Sequence, residues 1–522
     1  MIPGILLAQS PGLRVFQSIG NYATQLVDNQ GNLVHQWAGG PSLIAHVDAD
    51  GSLLRGAVTG AIVVPGATGR IERLSFDGTV LWSYDLSGPF HYAHHDIEPM
   101  PNGNVLVIAW DRYTDADAIA NGRNPAFLSS TDWLPDAILE IEPTGPTTGN
   151  VVWEWHMRDH VIQDYDPSKP NYGVVANHPE LLDINYPPAF ASAGDWNHFN
   201  GLDYDPINDW IIVSSHSQNE LYLIDHSTTT AEAAGHTGGQ RGKGGDFLYR
   251  WGNPEAYRAG TGLDRQLGGQ HDPRFVPPGY PGAGHVTVFN NQYQLTQSAV
   301  FELELPVDAQ GQLSVDPTTG RFGPTAPFWS YTDPTMLSPI VSGAERLLNG
   351  NTLICSGSQN LLLEVTPNGQ TVWSYFQPNS QLIFQSSYVE RSLWADTRQL
   401  SVTGGQIDFH PLFGSGHAGE IYLLLGSASG TAPGTTLPGG VILPLNFDYL
   451  SGAMAAQFNT GMFQNTIGLL NTAGGGSSSI GVSPGALAPE LAGLQLHFAY
   501  AVFDSALAPV WASNAVPVTI VP

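Results

Sequence analysis

The sequence predicts an all-β protein in which a six-bladed β-propeller is followed by a C-terminal β-sandwich. With 522 residues, the chain is longer than the roughly 100–200 residues that one hydrophobic core usually organises. Its 60 Gly and 39 Pro divide it into many short elements, which disfavours long helices. A recurring aromatic strand and an abrupt change of composition near residue 398 complete the prediction.

The repeat consists of an aromatic strand that ends at or near a tryptophan and alternates with a turn followed by an apolar strand. Asn-Gly at 102–103 and 349–350 supplies the positive φ that a tight hairpin needs. Another apolar strand, as at residues 221–225, precedes the aromatic one, so a unit carries about four strands, as a propeller blade does. The six aromatic copies span residues 34–37, 80–84, 151–155, 247–251, 328–331 and 372–375.

Six copies predict six blades within residues 1–398, with long insertions at 111–136, 156–194 and 252–270. Arg398 is the last basic residue, and residues 401–522 hold only five acidic ones. Short apolar segments in this remainder are separated by Gly, Ser and Thr, which predicts a β-sandwich over residues 399–522. The pattern leaves open whether this accessory domain binds a partner or only packs.

The charge of the chain narrows its possible partners. The 18 basic residues face 46 acidic ones for a formal net charge of −28, so no nucleic-acid partner is expected. No apolar run reaches the roughly 18 residues that a membrane-spanning helix needs.

The apolar segment at residues 5–9 and the lysine-poor, acidic composition suggest a periplasmic or extracellular protein. The single cysteine, Cys355, is expected to be a small buried hydrophobe. The oligomeric state stays open.

Histidine recurs just before the turn of several units, where the inner strand of a propeller blade meets the central channel. Equivalent positions on several blades gather imidazoles at one level of that channel. Converging imidazoles suit nucleophilic transfer of a sulfuryl or phosphoryl group, and equally the binding of Zn, Cu or Mn. The recurring residues are His46, His94, His95, His198 and His271. Histidines outside the pattern are expected in loops or at the surface: His35, His156, His160, His226, His236 and His285.

Three stretches, at residues 94–107, 195–215 and 269–289, resemble motifs of the bacterial arylsulfate sulfotransferase family. The stretch at 195–215, which begins Asp-Trp-Asn-His-Phe-Asn, is the most specific of them. The resemblance covers about residues 20–395. It implies a six-bladed propeller that moves sulfate from a small-molecule aryl sulfate to a phenol, without a nucleotide donor and without a cofactor.

Carried over position by position, the resemblance makes His271 the nucleophile that becomes transiently sulfated. His198 and one of the pair His94 and His95, with His95 favoured for the channel, are implied to bind the sulfuryl oxygens. Asn200 joins the substrate-binding candidates. The family has an Arg where this chain has His216, which replaces a permanent cation with one whose charge depends on pH. Arg274 and Arg250 are candidates to substitute for that Arg.

Two other functions stay open because a fold does not fix a function. In the first, the propeller has lost transfer activity and binds a ligand or a metal ion. In the second, the imidazoles serve a metal-dependent hydrolase or lyase. The metal ligands in both cases are His95, His198, His216 and His271.

Overall fold

The computed structural model describes residues 9–10, 12–48, 50–60, 64–128, 132–187, 194–294, 296–309, 311–378, 381–390 and 392–522. Strands make up 45% of the chain and helices 9%, so the predicted all-β class is confirmed. The apolar segment that suggested export lies, apart from its last residue, outside the described residues, as do parts of the first two predicted insertions. In the described residues, no helix is long and apolar enough to cross a membrane.

Residues 13–389 form six successive four-stranded antiparallel sheets. The first sheet joins the two ends of this region, because Ile383–Val389 pairs with Leu13–Ser18. Its other strands are Ala23–Val27 and Leu33–Ala38. The second sheet contains Ser42–Val47, Leu53–Val58, Gly69–Leu74 and Val80–Asp85. The third contains His91–Pro99, Val105–Asp111, Asp136–Gly145 and Thr148–His156.

The remaining three sheets repeat the same order of strands along the chain. The fourth contains Phe199–Asp205, Trp210–Ser215, Glu220–Asp225 and Tyr249–Trp251. The fifth contains His271–Phe275, Val286–Gln294, Gln297–Leu303 and Trp329–Thr332. The sixth contains Gly343–Arg346, Thr352–Ser356, Leu361–Val365 and Thr371–Phe376. Each of the six predicted aromatic segments overlaps the last strand of one sheet.

One edge strand of each sheet contacts the corresponding strand of the next sheet, and the contacts close into a ring. In order around the ring these strands are Ser42–Val47, His91–Pro99, Phe199–Asp205, His271–Phe275, Gly343–Arg346 and Ile383–Val389. The recurring histidines of the sequence lie in or beside four of these strands. The topology therefore brings segments that are far apart in sequence to one central place.

A second ring is made by tryptophans of the last strands. In each of the six sheets, an indole Nε1 donates a hydrogen bond to the loop before the last strand of the following sheet or, for Trp82, to the first residue of that strand, at 2.7–3.2 Å. The pairs are Trp37 with Ser75, Trp82 with Thr148, Trp153 with Thr228, Trp251 with Pro324, Trp329 with Pro367 and Trp373 with Asn29. The sixth sheet thus bonds back to the first. The repeated tryptophan explains why an aromatic strand recurs in the sequence: it joins each sheet to its neighbour.

Short elements occupy the described parts of the insertions and loops. The helices are Asp115–Ala120, Thr230–Ala233 and, near the C-terminus, Tyr449–Ala456. The short strands are Tyr113–Thr114 with Asp132–Trp133, and Val161–Ile162 with Leu182–Asp183. Turns of 3₁₀ helix span Pro125–Phe127, Met157–His160, Val175–Asn177, Pro254–Tyr257, Gly262–Asp264, Gly357–Gln359, Ser415–His417, Pro438–Gly440 and Pro489–Leu491.

Two further sheets and a two-stranded ribbon follow the sixth sheet. One sheet contains Leu393–Ala395, Gly405–Pro411, Ser478–Val482 and Phe463–Gln464. The other contains Gln399–Ser401, Val516–Val521, Gln495–Phe503, Ile421–Ser427, Ile467–Leu469 and Pro509–Ala512. The ribbon pairs Thr435–Thr436 with Ile442–Leu443. The two sheets share a core that includes Phe409, Leu424 and Tyr500. Because Leu393–Ala395 already pairs within it, the expected boundary at 398/399 falls inside this region.

This C-terminal region packs directly on the first two sheets. The ring of Trp394 stacks on that of Phe76 with centroids 5.4 Å apart. The carboxylate of Asp28 accepts hydrogen bonds from the backbone and the hydroxyl of Ser415, both at 2.8 Å. Gly51 accommodates the indole, because a Cβ there would lie 2.5 Å from Trp394.

Candidate active site

A cavity of about 360 Å³ lies where several strands of the central ring begin. Its polar wall comprises His95, His198, His216, His271 and Gln292. Its apolar wall comprises Ile19, Leu43, Pro65, Gly66, Ile340, Val341, Leu382 and Phe384. We call it the imidazole cavity. An apolar wall facing a row of imidazoles suits a ligand with an aromatic body and an anionic end.

The four imidazoles form a continuous row. Ring centroids are 4.4 Å apart from His95 to His198, 5.2 Å from His198 to His216, and 5.6 Å from His216 to His271. The row draws on the third, fourth and fifth sheets. The sequence predicted that histidines of different sheets converge, and the structure places these four side by side.

Irregular backbone at the ring strands directs these side chains. His95 and His198 have φ of 53° and 54°, and Asp272, directly after His271, has φ of 54°. The register with the neighbouring strand shifts at or next to these positions, between Ala93 and Ile97, between Phe199 and Gly201, and between His271 and Arg274. Left-handed residues other than glycine are uncommon, and bulges of this kind turn a side chain away from the regular pleat. The strained positions coincide with the imidazole row.

Two hydrogen bonds fix which nitrogen of His271 carries its proton. Its Nδ1 lies 2.8 Å from Oδ1 of Asn291 and 3.0 Å from the carbonyl oxygen of Gly269. The Asn291 amide has a defined orientation, since its Nδ2 donates to the carbonyls of Ser338 and Val341 at 2.8 and 2.7 Å. Both partners of Nδ1 are therefore acceptors, so Nδ1 is protonated in the neutral ring and Nε2 keeps the lone pair. Burial lowers the pKa of His271 to about 4, and the ring is neutral at pH 7.

His198 has the opposite electrostatics. Burial opposes its charged form, but the carboxylate of Asp195, which accepts a hydrogen bond from Nδ1, outweighs burial and raises the pKa of His198. The other oxygen of Asp195 accepts a hydrogen bond from Trp110 Nε1 at 3.0 Å, which holds the carboxylate in place. His198 is thus the member of the row whose environment favours an imidazolium. It provides a positive charge in a cavity whose described lining includes no Arg or Lys.

Of the pair His94 and His95, it is His95 that lines the cavity. The Nδ1 atoms of the two rings lie 2.7 Å apart. His94 lies behind, stacked on Trp110 at 3.9 Å with an interplanar angle of 8°, and its Nε2 is 3.0 Å from a carboxylate oxygen of Asp136. Burial lowers the pKa of His94 to about 3, and burial together with neighbouring imidazoles lowers that of His95 well below its usual range. His94 orients His95, and His95 faces the cavity as a neutral ring.

His216 stands between His198 and His271, at the position where the resembling family has an Arg. Burial and then the two flanking imidazoles lower its pKa well below its usual range. Without a bound anion, His216 is therefore neutral at pH 7 and does not reproduce the permanent charge of an Arg.

Neither candidate arginine lines the imidazole cavity. Arg274 lies in a separate cavity of about 240 Å³, which also includes His46, and its Nε and Nη1 contact carboxylates of Asp272 and Glu345 at 2.9 and 3.1 Å. Arg250 is buried against Glu220. Its Nη1 also donates to the carbonyl of Leu181 at 2.9 Å, which attaches the second insertion to the fourth sheet. Both guanidinium charges are neutralised by carboxylates, so the proposed substitution for the missing Arg is wrong.

Asn200 also lies outside the cavity lining. It is fully buried, and its Nδ2 donates a hydrogen bond to the carbonyl oxygen of Gln270 at 2.8 Å. Because Gln270 directly precedes His271, Asn200 acts on the position of that histidine and not as a wall of the cavity.

The metal alternative requires several ligand atoms that converge on one point. Among the residues that the structure describes, His95, His198, His216 and His271 do not bring three such atoms within 4.8 Å of one another. The row spreads its nitrogens along the cavity wall, which favours contact with several oxygens of one anion.

Asn291 and Gln292 were missed by the sequence analysis, which followed only histidines. The sequence does contain a signal for these two residues. Asn291 and Gln292 lie near the end of the second strand of the fifth sheet, and His216 directly follows the second strand of the fourth, so polar residues toward the end of second strands mark the cavity as well.

The comparison with protein families identifies the chain. The model of the arylsulfotransferase (ASST) family matches residues 21–388. The chain therefore belongs to the arylsulfotransferase family, which confirms the resemblance seen in its motifs. No curated protein matches the chain.

Solved structures with similar folds include three with low sequence identity. A protein of unknown function from Bacteroides caccae has 12% identity and a TM-score of 0.40, over 73% of this chain and 99% of that one. A periplasmic gluconolactonase from Pseudomonas aeruginosa has 11% identity and a TM-score of 0.35, over 72% and 99%. A catalytically inactive virginiamycin B lyase from Staphylococcus aureus has 10% identity and a TM-score of 0.31, over 71% and 87%.

Proposed function

We propose that the six sheets are the blades of a six-bladed β-propeller, that the C-terminal region is an accessory β-sandwich, and that the imidazole cavity is the active site of an arylsulfate sulfotransferase-like enzyme. The closed ring of edge strands and the ring of indole hydrogen bonds support the propeller. The observation that carries the activity is the contrast between His271, neutral with a lone pair on Nε2, and His198, whose charged form Asp195 favours in the same cavity.

In the first half-reaction, Nε2 of His271 attacks the sulfur of an aryl sulfate. The N–S bond forms while the bond from sulfur to the aryl oxygen breaks, and the phenolate leaves with the electron pair. The Nδ1 proton stays on the ring, where Asn291 and Gly269 accept its hydrogen bond. A phenol with a pKa of about 10 leaves without full protonation by the enzyme.

In the second half-reaction, the oxygen of an acceptor phenol attacks the sulfur of the sulfohistidine, and the N–S bond breaks. The proton of the acceptor passes through solvent to the phenolate released in the first step, so the sum is one aryl sulfate and one phenol exchanged for another pair. His198 stabilises negative charge on the sulfuryl oxygens in both steps, because it presents an imidazolium at a position fixed by Asp195.

The sulfate group also acts on the charge of His216. An anion bound beside an imidazole raises its pKa, so a bound sulfate ester favours protonation of His216. His216 thus gains, when the substrate binds, the positive charge that an Arg carries permanently. Because this charge requires protonation, it depends on pH.

The proposed activity is tested with purified, chelator-treated protein, 4-nitrophenyl sulfate and phenol, by following nitrophenol release. We expect release that depends on phenol and that is lost in His271→Ala. His178→Ala is the matched control, because this exposed histidine pairs with Glu180 away from the cavity and its loss leaves release unchanged. Release that persists in His271→Ala contradicts the nucleophile assignment.

A second function, binding of an aryl sulfate without transfer, is favoured by the absence of Arg and Lys from the described lining of the cavity. It predicts that the wild-type protein binds 4-nitrophenyl sulfate in a calorimeter, forms no acid-labile sulfohistidine, and releases no nitrophenol. The variant His216→Arg separates the two functions. If the protein is a transferase with a weak anion site, the variant has a higher kcat/KM at pH 8. If the protein only binds the ester, the variant gains affinity alone.

A further inference from the structure

A second group of titratable side chains lies outside the imidazole cavity, between the second insertion and the fourth sheet. It consists of His160, His236 and Asp246, whose nitrogen and oxygen ligand atoms all lie within 4.8 Å of one another. His160 ends the 3₁₀ turn Met157–His160, just after the last strand of the third sheet. His236 and Asp246 flank a glycine-rich loop before the last strand of the fourth sheet. The group joins two parts of the chain that are distant in sequence.

His160 contradicts the expectation that it lies in a loop or at the surface, because its side chain is fully buried. Its ring stacks on Trp155 with centroids 5.1 Å apart and an interplanar angle of 4°. Nε2 lies 2.8 Å from the carbonyl oxygen of Ala233, and since a carbonyl only accepts, Nε2 carries a proton. Histidines that bind metals are held in this way, with one nitrogen bonded to a carbonyl and the other left for the ion.

The remaining nitrogen of His160 points to a shared carboxylate oxygen. Nδ1 of His160 and Nδ1 of His236 each lie 2.8 Å from Oδ1 of Asp246. The two rings are nearly perpendicular, with centroids 6.1 Å apart. In the metal-free protein each Nδ1 donates a hydrogen bond to this oxygen, so an ion that binds here replaces the two Nδ1 protons. Three ligand atoms from three side chains then surround one point, and two of those side chains, of His160 and Asp246, are buried.

The glycine-rich loop is shaped to bring these side chains together. Backbone hydrogen bonds from Gly245 to Gly235 at 3.0 Å and from Gly244 to Gly238 at 3.1 Å close its neck. Glycine is required at 245, because a Cβ there would lie 2.6 Å from Nε2 of His160 and 2.0 Å from the carbonyl oxygen of Ala233. The close approach of backbone to His160 thus depends on this one residue type.

We propose that His160, His236 and Asp246 bind one divalent transition-metal ion of the Zn²⁺ type. Two imidazole nitrogens and one carboxylate oxygen form a donor set that Zn²⁺ uses in proteins. Bond lengths of about 2.0–2.2 Å separate the ligand atoms of a tetrahedral ion by roughly 3.4 Å, so the present group accepts the ion with small side-chain shifts. The side chain of His236 is 60% exposed, so the fourth position of the ion opens to water.

The bound ion cross-links the second insertion to the fourth sheet. The 3₁₀ turn that ends at His160 and the loop between His236 and Asp246 meet at this group. An ion that binds the folded protein and not the unfolded chain raises the thermal midpoint. The site does not depend on sulfuryl transfer, so the test of this site is independent of the test of the proposed activity.

The test is a Zn²⁺ titration of the full-length protein after metal removal, in competition with a chromophoric chelator, with the thermal midpoint measured with and without Zn²⁺. We expect one ion per chain and a higher thermal midpoint. In His236→Ala, whose missing side chain is mostly exposed so that the fold is retained, we expect affinity to fall by at least about tenfold. His178→Ala, which removes an exposed histidine of the second insertion outside this group, retains the affinity of the wild type.

Two results overturn the proposal. The first is a wild-type protein that binds less than one Zn²⁺ per chain in competition with the chelator. The group is then a hydrogen-bonded cluster and not a metal site. The second is Zn²⁺ binding that His236→Ala leaves unchanged but His271→Ala abolishes, which places the ion in the imidazole cavity. Circular dichroism of each variant checks that the fold is intact.

Discussion

His198 and His271 line one cavity, yet their surroundings shift their pKa values in opposite directions. Burial lowers the pKa of His271 to about 4, whereas Asp195 overcomes burial and raises that of His198. At neutral pH the ring of His271 is neutral, whereas the surroundings of His198 favour the imidazolium. Pairs of titratable groups whose pKa values are driven apart are typical of sites that divide two chemical roles between similar residues.

This contrast predicts a bell-shaped dependence of kcat/KM on pH. Activity requires neutral His271 and is lost on the acid side as the pH falls toward about 4. It also requires protonated His198 and is lost on the alkaline side as the pH rises through a pKa above 6.5. The profile of kcat/KM for 4-nitrophenyl sulfate measures both limbs in the free enzyme.

Asp195→Asn tests the origin of the alkaline limb. Without the carboxylate of Asp195, the main opposition to burial is removed and the pKa of His198 falls, so the alkaline limb moves to lower pH. At pH 7 we expect kcat/KM to drop by about 10²-fold, the loss typical of one missing charge-stabilising donor. If the alkaline limb stays at the same pH in this variant, a group other than His198 is responsible for it.

Asn291→Ala tests the orientation of His271. The variant removes the acceptor that lies 2.8 Å from Nδ1 and leaves only Gly269 to hold the proton there. We expect kcat to fall at least about tenfold, which is about 1.4 kcal/mol, while KM changes little, because Asn291 lies behind His271 and is not among the residues that line the cavity.

Asn290→Ala is the matched control for this experiment. Asn290 is equally buried, and its amide also makes two backbone hydrogen bonds, to Gly268 and Gln266 at 2.9 and 2.8 Å, but it does not touch His271. Both variants are expected to lose similar stability in urea denaturation. If Asn290→Ala lowers kcat as much as Asn291→Ala, the effect is a general loosening of the strand and not the orientation of His271.

Gly66→Ala tests the packing that holds His95. A Cβ at residue 66 would lie 1.9 Å from Cε1 of His95, so the imidazole must move out of the row. Gly78→Ala has almost the same backbone, with φ of 90° against 86°, but no atom lies within 4 Å of its Cβ. Both variants bear the cost of a left-handed non-glycine residue, about 1–2 kcal/mol.

Only Gly66→Ala is therefore expected to lose transfer activity beyond its loss of stability. The measurement is the thermal midpoint together with kcat/KM for both variants. Equal activity in the two would show that the position of His95 does not matter for transfer.

The recurring tryptophan is visible in the sequence because one physical task is repeated six times. Each indole reaches the loop of the next sheet, so the same residue type returns at each last strand. The histidine row was likewise predictable, since equivalent strand positions meet in the centre. The sequence could not decide between His94 and His95, because adjacent residues at a bulge do not follow the alternation of a regular strand.

The sequence could not predict the contacts of residues that lie outside the repeat. Arg274 follows His271 by three positions, which in a strand is a displacement of about 10 Å along the channel, enough to place it in a different cavity. Arg250 faces Glu220 because of strand register, which the pattern of charges does not reveal. The burial of His160 depends on Trp155 and on the distant Gly245, and the sequence shows neither contact.

The structure assigns Arg274 a structural role, and Arg274→Met tests it. The guanidinium is largely buried between the carboxylates of Asp272 and Glu345, with 14% of the Arg274 side chain exposed, and burial raises the pKa of both acids even with the cation present. Without the cation, these carboxyls must stay protonated or remain as unpaired buried charges. Loss of one partner of a buried ion pair costs about 3–5 kcal/mol, and we expect a loss of this size in urea denaturation at pH 8.

The loss is expected to be smaller at pH 5 than at pH 8, and the sign follows from proton binding. A carboxyl whose pKa is higher in the folded than in the unfolded state binds more protons when folded, so its contribution to stability is lost as the pH rises. Arg70→Met is the control, since that side chain is 42% exposed and lies 3.5 Å or more from its acidic partners, and its loss costs no more than about 1 kcal/mol at either pH. If Arg274→Met instead keeps the stability of the wild type and raises KM for the aryl sulfate, then Arg274 binds substrate as the sequence suggested, and the separation of the two cavities has no functional meaning.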